Sequence, residues 1–111
     1  MTKHFASANI VELDKVDTPA GDGNSTIRTG LHHMGSVGDV DFGVWEVEPG
    51  VLDGVVEAAE VFVVLSGAAT IVSDGDPEPL GVGPGDVVRL IVGQRVRWDV
   101  TETVRKVYVH P

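Results

Sequence analysis

The sequence contains no cysteine, which excludes a disulfide framework, a zinc–thiolate site and a thiol nucleophile. It also has no apolar run long enough to span a bilayer, and its first residues lack the hydrophobic stretch of a secretory signal. These absences favour a soluble, cytoplasmic protein and predict no membrane partner.

Positive charge is scarce as well. Eight Lys and Arg residues stand against 17 Asp and Glu, and the formal net charge is −9. Nucleic-acid binding requires a basic patch that neutralises phosphates, whereas a domain this acidic repels them. The composition therefore predicts no nucleic-acid partner.

Sustained helical periodicity with capping residues is also missing, and β-branched and turn-forming residues take its place. The 111 residues include 22 valines, 14 glycines and six prolines. Valine favours the pleated surface of a sheet, and Gly/Pro clusters separate the strands. The pattern predicts an all-β sandwich or small barrel in a single domain, 1–111. The expected strands are 10–13, 25–34, 42–47, 60–65, 68–73, 80–82, 87–92, 95–100 and 104–109, with a hairpin turn at 66–67.

The segment 61–65 is apolar at every position and would therefore be apolar on both faces of a strand. A strand in a small barrel can bury its outer face only under a second sheet or under a partner subunit. The segment thus predicts a homodimer.

Two glycine patterns and a C-terminal signature resemble those of a known family. The positions are Gly50, the pair Glu60 and Gly67, the turn Pro84-Gly85-Asp86 with Gly93, and the segments Gly43-Val44-Trp45-Glu46 and 96–108. Over residues 40–110 they resemble small single-domain RmlC-like cupins of the ureidoglycine aminohydrolase-like and ethanolamine-utilisation-like subfamily. The resemblance implies a jelly-roll β-barrel of two antiparallel sheets, often paired into dimers. Residues 1–35 would then pack on the barrel or on the dimer partner.

The resemblance also bears on metal binding. Metal-bearing cupins hold a divalent metal in the barrel mouth through two histidines and a glutamate of the first motif and one histidine of the second. Glu60 matches the glutamate, but the His-x-His positions fall near Gly54 and Val56, and the second-motif histidine falls on Val96. Strict alternation over 95–100 independently turns Val96 inward. We therefore expect no cofactor, with a divalent metal at a different site as the alternative.

Glu60 is the candidate catalytic residue, because it is the only ionisable residue that matches a cupin ligand position. If it points inward with Phe62 and Val64, desolvation disfavours its charged form and suits it to general acid–base work. The alternative, which a strand start favours, is a rim charge that is solvated or paired with an arginine. Asp53, Glu57 and Glu60 could together hold a hard cation, although such loop clusters are more often solvated.

The histidines and the other basic residues give weaker signals. His32 and His33 are adjacent in an expected strand and point to opposite faces, while His4 and His110 are expected to be exposed. The basic residues of the last quarter alternate with apolar ones, which predicts a solvated outer face. They are Arg89, Arg95, Arg97, Arg105 and Lys106.

Trp45, Val56, Phe62, Val96 and Trp98 are expected to line a ligand pocket, the alternative being ordinary core. The leading interpretation is a small-molecule-binding or accessory cupin, with no metal or with weak metal binding, that acts as a homodimer. The alternative is a small cupin enzyme of the aminohydrolase or isomerase type that uses Glu60, with or without a divalent metal. The sequence leaves the ligand and any reaction open.

Overall fold

The computed structural model describes residues 2–111, and within that range every regular element is a strand, which confirms the all-β prediction. The strands are β1 (Asp14–Pro19), β2 (Thr26–Val37), β3 (Val40–Val47), β4 (Gly50–Val55), β5 (Glu60–Ser73), β6 (Leu80–Val82), β7 (Val87–Leu90) and β8 (Arg95–His110). Residues 2–111 hold no helix of the length and hydrophobicity that a membrane crossing needs.

The strands form one antiparallel sheet that folds over into two layers. The sheet order is β1-β2-β3-β8-β5-β6, with β4 also paired to β8 and β7 to β5. The first half of β8 pairs with β4 and with the second half of β5. The second half of β8 pairs with β3 and with the first half of β5. We call the layer with β1, β2, β3 and β7 the large layer, and the layer with β4 and β6 the small layer.

The two long strands cross from one layer to the other at a bend centred on Gly67. Gly67 has φ = +92°, and a Cβ added there would collide with the carbonyl oxygen of Thr103. The register between β5 and β8 shifts from Val64 to Ala69 as the strands bend. The predicted hairpin turn at 66–67 is therefore wrong, because the chain keeps pairing with β8 on both sides of the glycine.

The core lies between the facing surfaces of the two layers. Its fully buried side chains are Val47, Phe62, Val64 and Val104. The ring of Trp98, on the small layer, lies 5.5 Å from the rings of Trp45 and Phe62 on the large layer, measured between centroids. Aromatic contacts thus close the barrel interior across the layers.

The N-terminal segment covers part of the outer face of the large layer. Arg105 donates hydrogen bonds to the carbonyl oxygens of Ala8 and Val11, at 3.0 and 2.9 Å. Its Nη2 atom lies 2.8 Å from Oε2 of Glu46, which Lys15 also contacts. Polar contacts therefore tie this segment to β3 and β8.

Several strand predictions need correction. Residues 10–13 do not form the expected strand, and the sequence pattern predicts neither β1 nor β4. Asp53 and Gly54 look like loop residues, yet cross-strand pairing with Arg97 and Val96 holds them in β4. The expected strands 95–100 and 104–109 form one strand, because the residues between them stay extended through the bend.

Candidate functional site

The centre of the site is a lysine that points into the barrel. Lys106 lies on β8, where alternation buries Val104, Lys106 and Tyr108 and turns the residues between them outward. Its cross-strand partners are Trp45 on β3 and Val64 on β5. The side chain of Lys106 is only 6% exposed, so the prediction of a solvated outer-face lysine is wrong.

Three aromatic rings surround the ammonium group of Lys106. Its Nζ atom lies 4.2 Å from the ring centroid of Phe62, 4.6 Å from that of Trp45 and 5.3 Å from that of Trp98. At these distances the negative faces of the rings attract a cation. The rings come from both layers, so the cage exists only in the folded barrel.

Glu60 neutralises the charge of Lys106. The Nζ atom donates to both carboxylate oxygens of Glu60, at 3.1 Å to Oε1 and 3.0 Å to Oε2. Glu60 therefore points inward with Phe62 and Val64, and its partner is a lysine rather than a rim arginine or solvent. Burial lowers the pKa of Lys106 below its ordinary value, and the charge of Glu60 opposes that shift.

This ion pair forms part of the wall of a pocket that is open to solvent, which we call the Lys106 cavity. Its volume is about 340 Å³, and its lining residues are Leu31, Trp45, Glu60, Lys106, Tyr108 and His110. Burial and the negative charges of Glu60 and Asp41 raise the pKa of Tyr108, so its phenol stays protonated at neutral pH. The ring of Tyr108 stacks on His110 at 5.4 Å and packs over Gly43, where a side chain would collide with it. The cavity thus offers an amine, a carboxylate and a phenol beside apolar surface.

The five residues expected to line one pocket are divided between two places. Trp45 lines the Lys106 cavity, and Phe62 is buried beneath the ammonium group. Val56, Val96 and Trp98 line a separate cavity of about 160 Å³. Trp98 also lies 5.3 Å from the Lys106 ammonium group, although it does not line the Lys106 cavity.

The positions that match the cupin metal ligands do not fit a metal held by imidazoles. Gly54 has no side chain, and Val56 and Val96 carry no donor atom. Within residues 2–111 no three His, Cys, Asp or Glu side chains are grouped closely enough to hold a metal ion. The inward direction predicted for Val96 is confirmed, since it is buried in the core.

The other candidate residues do not assemble into a site. Asp53 accepts hydrogen bonds of 2.7 and 2.9 Å from Arg97, Glu57 is exposed, and the described residues hold no cluster of three such side chains, so Asp53, Glu57 and Glu60 do not form the cation site considered above. His33 lies 3.5 Å from Asp41, while His4 is exposed.

The basic residues of the last quarter divide between the two faces of the sheet. Arg89, Arg95 and Arg97 are exposed as predicted, whereas Arg105 is half-buried under the N-terminal segment. A second groove of about 480 Å³, as open to solvent as the Lys106 cavity, runs beside Arg95 and Arg97, where exposed Asp53 is already paired with Arg97. Of the five basic residues, only Lys106 therefore reaches the barrel interior.

Comparison with known proteins places the chain in a family. The family model of the EutQ-like cupin domain matches residues 35–108. A search among curated proteins finds no match. The EutQ protein of Clostridium difficile is 17% identical, with a TM-score of 0.71 over 90% of this chain and 79% of that one.

Two further solved structures share the fold. A protein of unknown function from Acidithiobacillus ferrooxidans is 26% identical, with a TM-score of 0.60 over 88% of this chain and 89% of that one. The polyketide cyclase RemF of Streptomyces resistomycificus is 18% identical, with a TM-score of 0.71 over 100% of this chain and 80% of that one. The likenesses to EutQ and RemF show a common fold and confirm the predicted cupin jelly roll. With more than half of its length matched by the family model, the chain belongs to the EutQ-like cupin domain family.

Proposed function

We propose that this domain binds a small organic molecule in the Lys106 cavity, without a metal held by imidazoles. The observation that carries the proposal is the pair of Lys106 and Glu60, enclosed by aromatic rings at the wall of the cavity. Desolvating two charges is unfavourable, and an apolar pair of similar volume is often at least as stable. A charged pair kept in such a place is therefore better explained by ligand recognition than by stability.

The pair also limits the kind of ligand. Lys106 and Glu60 together carry no net charge, so a neutral or dipolar molecule gains more from them than an ion does. The ammonium group would donate to an acceptor on the ligand, and the phenol of Tyr108 would supply a second donor. Leu31 and Trp45 would provide apolar contact for a short carbon skeleton. The volume lies near the lower end for ligand pockets, about 300–1,000 Å³, which suits a small metabolite.

Tryptophan fluorescence provides a direct test. The chain has two tryptophans: Trp45 lines the Lys106 cavity, and Trp98 lies 5.3 Å from the Lys106 ammonium group, so a ligand beside Lys106 should change their emission. A panel of small neutral, zwitterionic and anionic compounds is titrated into protein treated with a chelator. We expect saturable changes for some neutral or zwitterionic members, lost in the double variant Lys106→Met/Glu60→Gln, which leaves no unpaired charge, and kept in Lys3→Met, which alters an exposed lysine. A panel without any saturable response, or responses that survive in the double variant, would contradict the proposal.

The alternative of a small enzyme, of aminohydrolase or isomerase type, has one observation in its favour. Glu60 and Lys106 are two proton-transfer groups in direct contact at the cavity wall. The enzyme alternative therefore places the acid–base work on this pair, with Glu60 in the role predicted from the sequence. Turnover of any compound that binds, lost in Glu60→Gln, would favour this alternative.

We further propose that the domain acts as a homodimer through an outer-face surface, the valine patch. It consists of Val40, Ala59, Val61, Arg89 and Val109, and its three valines are 36%, 44% and 41% exposed. The N-terminal segment covers the sheet beside Arg105 but leaves the valine patch open. A second copy related by a two-fold axis would cover it with the same apolar surface. A cytoplasmic location and the absence of nucleic-acid and membrane partners remain predictions.

A further inference from the structure

The side-chain nitrogen of Lys106 is fixed in position, as the nitrogen of a reactive amine would be. Its nitrogen lies at the end of a buried side chain, fixed by two hydrogen bonds to Glu60 and by three aromatic rings. It nevertheless forms part of the wall of an open cavity. A nucleophile fixed beside space for a substrate needs little reorganisation before it reacts.

We propose that Lys106 forms a Schiff base with a small aldehyde or ketone bound in the Lys106 cavity. This inference rests on the proposed function and names the class of molecule that binds there. A carbonyl group is neutral, its oxygen accepts hydrogen bonds, and its carbon accepts an electron pair from an amine. Leu31 and Trp45 would hold its carbon substituents. The site therefore meets each part of a small carbonyl compound with a matching group.

The reaction balances without a metal or a redox partner. The Lys106 ammonium group first gives a proton to Glu60, which is 3.0 Å away, and the free amine attacks the carbonyl carbon. The carbonyl oxygen takes that proton to give a carbinolamine. A second proton leaves the nitrogen through Glu60, and the hydroxyl group departs as water. The product is a protonated imine, so the positive charge stays on the nitrogen and the negative charge stays on Glu60.

The protonation state of the lysine supports the proposal. Burial lowers the pKa of Lys106, which leaves more free amine at neutral pH than an exposed lysine has. The titratable groups that line the cavity with it are Glu60, Tyr108 and His110. Lys15 is the opposite case, because its contacts with Glu46 and Glu48 raise its pKa. Lys15 therefore serves as an internal reference for the reactivity of Lys106.

The chain has only three lysines, Lys3, Lys15 and Lys106, so the labelling of each can be measured separately. The protein is incubated near neutral pH with propanal or acetone and sodium cyanoborohydride, which reduces an imine to a stable alkyl amine. Peptide mapping by mass spectrometry then gives the labelling rate of each lysine and separates them from the α-amino group.

We expect Lys106 to be labelled at least about tenfold faster than Lys15 in the folded protein. In urea the two rates should become equal, which serves as the control for reagent reactivity. Lys106→Arg keeps the charge but removes the nucleophile, so its labelling pattern should lack the fast site. Labelling of Lys106 at or below the rate of Lys15 in the folded protein would overturn the Schiff base. The binding function itself depends on the fluorescence titration, so the two proposals can fail separately.

Discussion

The nitrogen of Lys106 lies 3.0 Å from Oε2 of Glu60, although the two residues are not cross-strand neighbours. The neighbour of Lys106 on β5 is Val64, and Glu60 lies four residues earlier on the same strand. The lysine side chain therefore runs along the sheet and over the ring of Phe62 to reach the carboxylate. Its charge is paired at the cavity wall rather than at the barrel rim.

Removing one member of the pair should destabilise the fold strongly. Lys106→Met leaves Glu60 desolvated without its counter-charge, which should lower the free energy of unfolding by about 3–5 kcal/mol. The double variant Lys106→Met/Glu60→Gln should recover most of that loss, because no unpaired charge remains. Urea unfolding of the two variants and of Lys3→Met measures the difference. A single variant as stable as the wild type would show that the pair is not desolvated.

The stability of the protein should depend on pH through Lys106. In the folded state the pKa of Lys106 lies below the ordinary 10.5. At a pH between the lowered pKa and 10.5, Lys106 therefore binds more protons in the unfolded chain than in the folded one. The contribution of Lys106 to the free energy of unfolding should therefore rise with pH from its lowered pKa towards 10.5. Tyr108 has the opposite effect above 10.0, because its pKa is raised in the folded state. Urea unfolding from neutral pH to just below 10.0 should show a rise for the wild type that is absent in Lys106→Met; equal slopes would contradict the lowered pKa.

The bend at Gly67 gives a prediction about the fold. Gly67→Ala meets both an unfavourable positive φ and a collision with the backbone at Thr103. Gly85 is a matched control, since its φ is +90° and an added Cβ there would meet nothing within 4 Å. We expect Gly85→Ala to cost about 1–2 kcal/mol from backbone strain alone, and Gly67→Ala to cost clearly more. Comparable unfolding free energies for both variants would mean that the bend can relax.

The valine patch predicts a dimer. Light scattering should give twice the monomer mass of 11.7 kDa at micromolar concentration. Val61→Asp should give a monomer, whereas Val72→Asp should not, because Val72 has almost the same exposure, 45% against 44%, but lies on the small layer. A monomeric wild type, or the same response from both variants, would contradict the proposed interface.

The sequence predicts the class of fold and several strands well, because alternation and Gly/Pro clusters are local signals. Strand continuity is harder, since Gly67 looks like a turn residue until its partner strand is known. Lys106 could have been found, because the alternation that turns Val96 inward continues through Val104 and Tyr108. Its pairing with Glu60, 46 positions away, and its cage of rings from both layers depend on tertiary packing that no local pattern encodes.

The central claim is that small molecules bind beside Lys106 in the absence of a metal. The most direct measurement follows the two tryptophan indole N–H signals by NMR in protein freed of metal by a chelator. A compound selected by the fluorescence titration should shift both signals saturably, because Trp45 and Trp98 both contact the Lys106 ammonium group. Binding that requires a divalent transition metal to be added back, or that leaves both indole signals in place, would contradict the account.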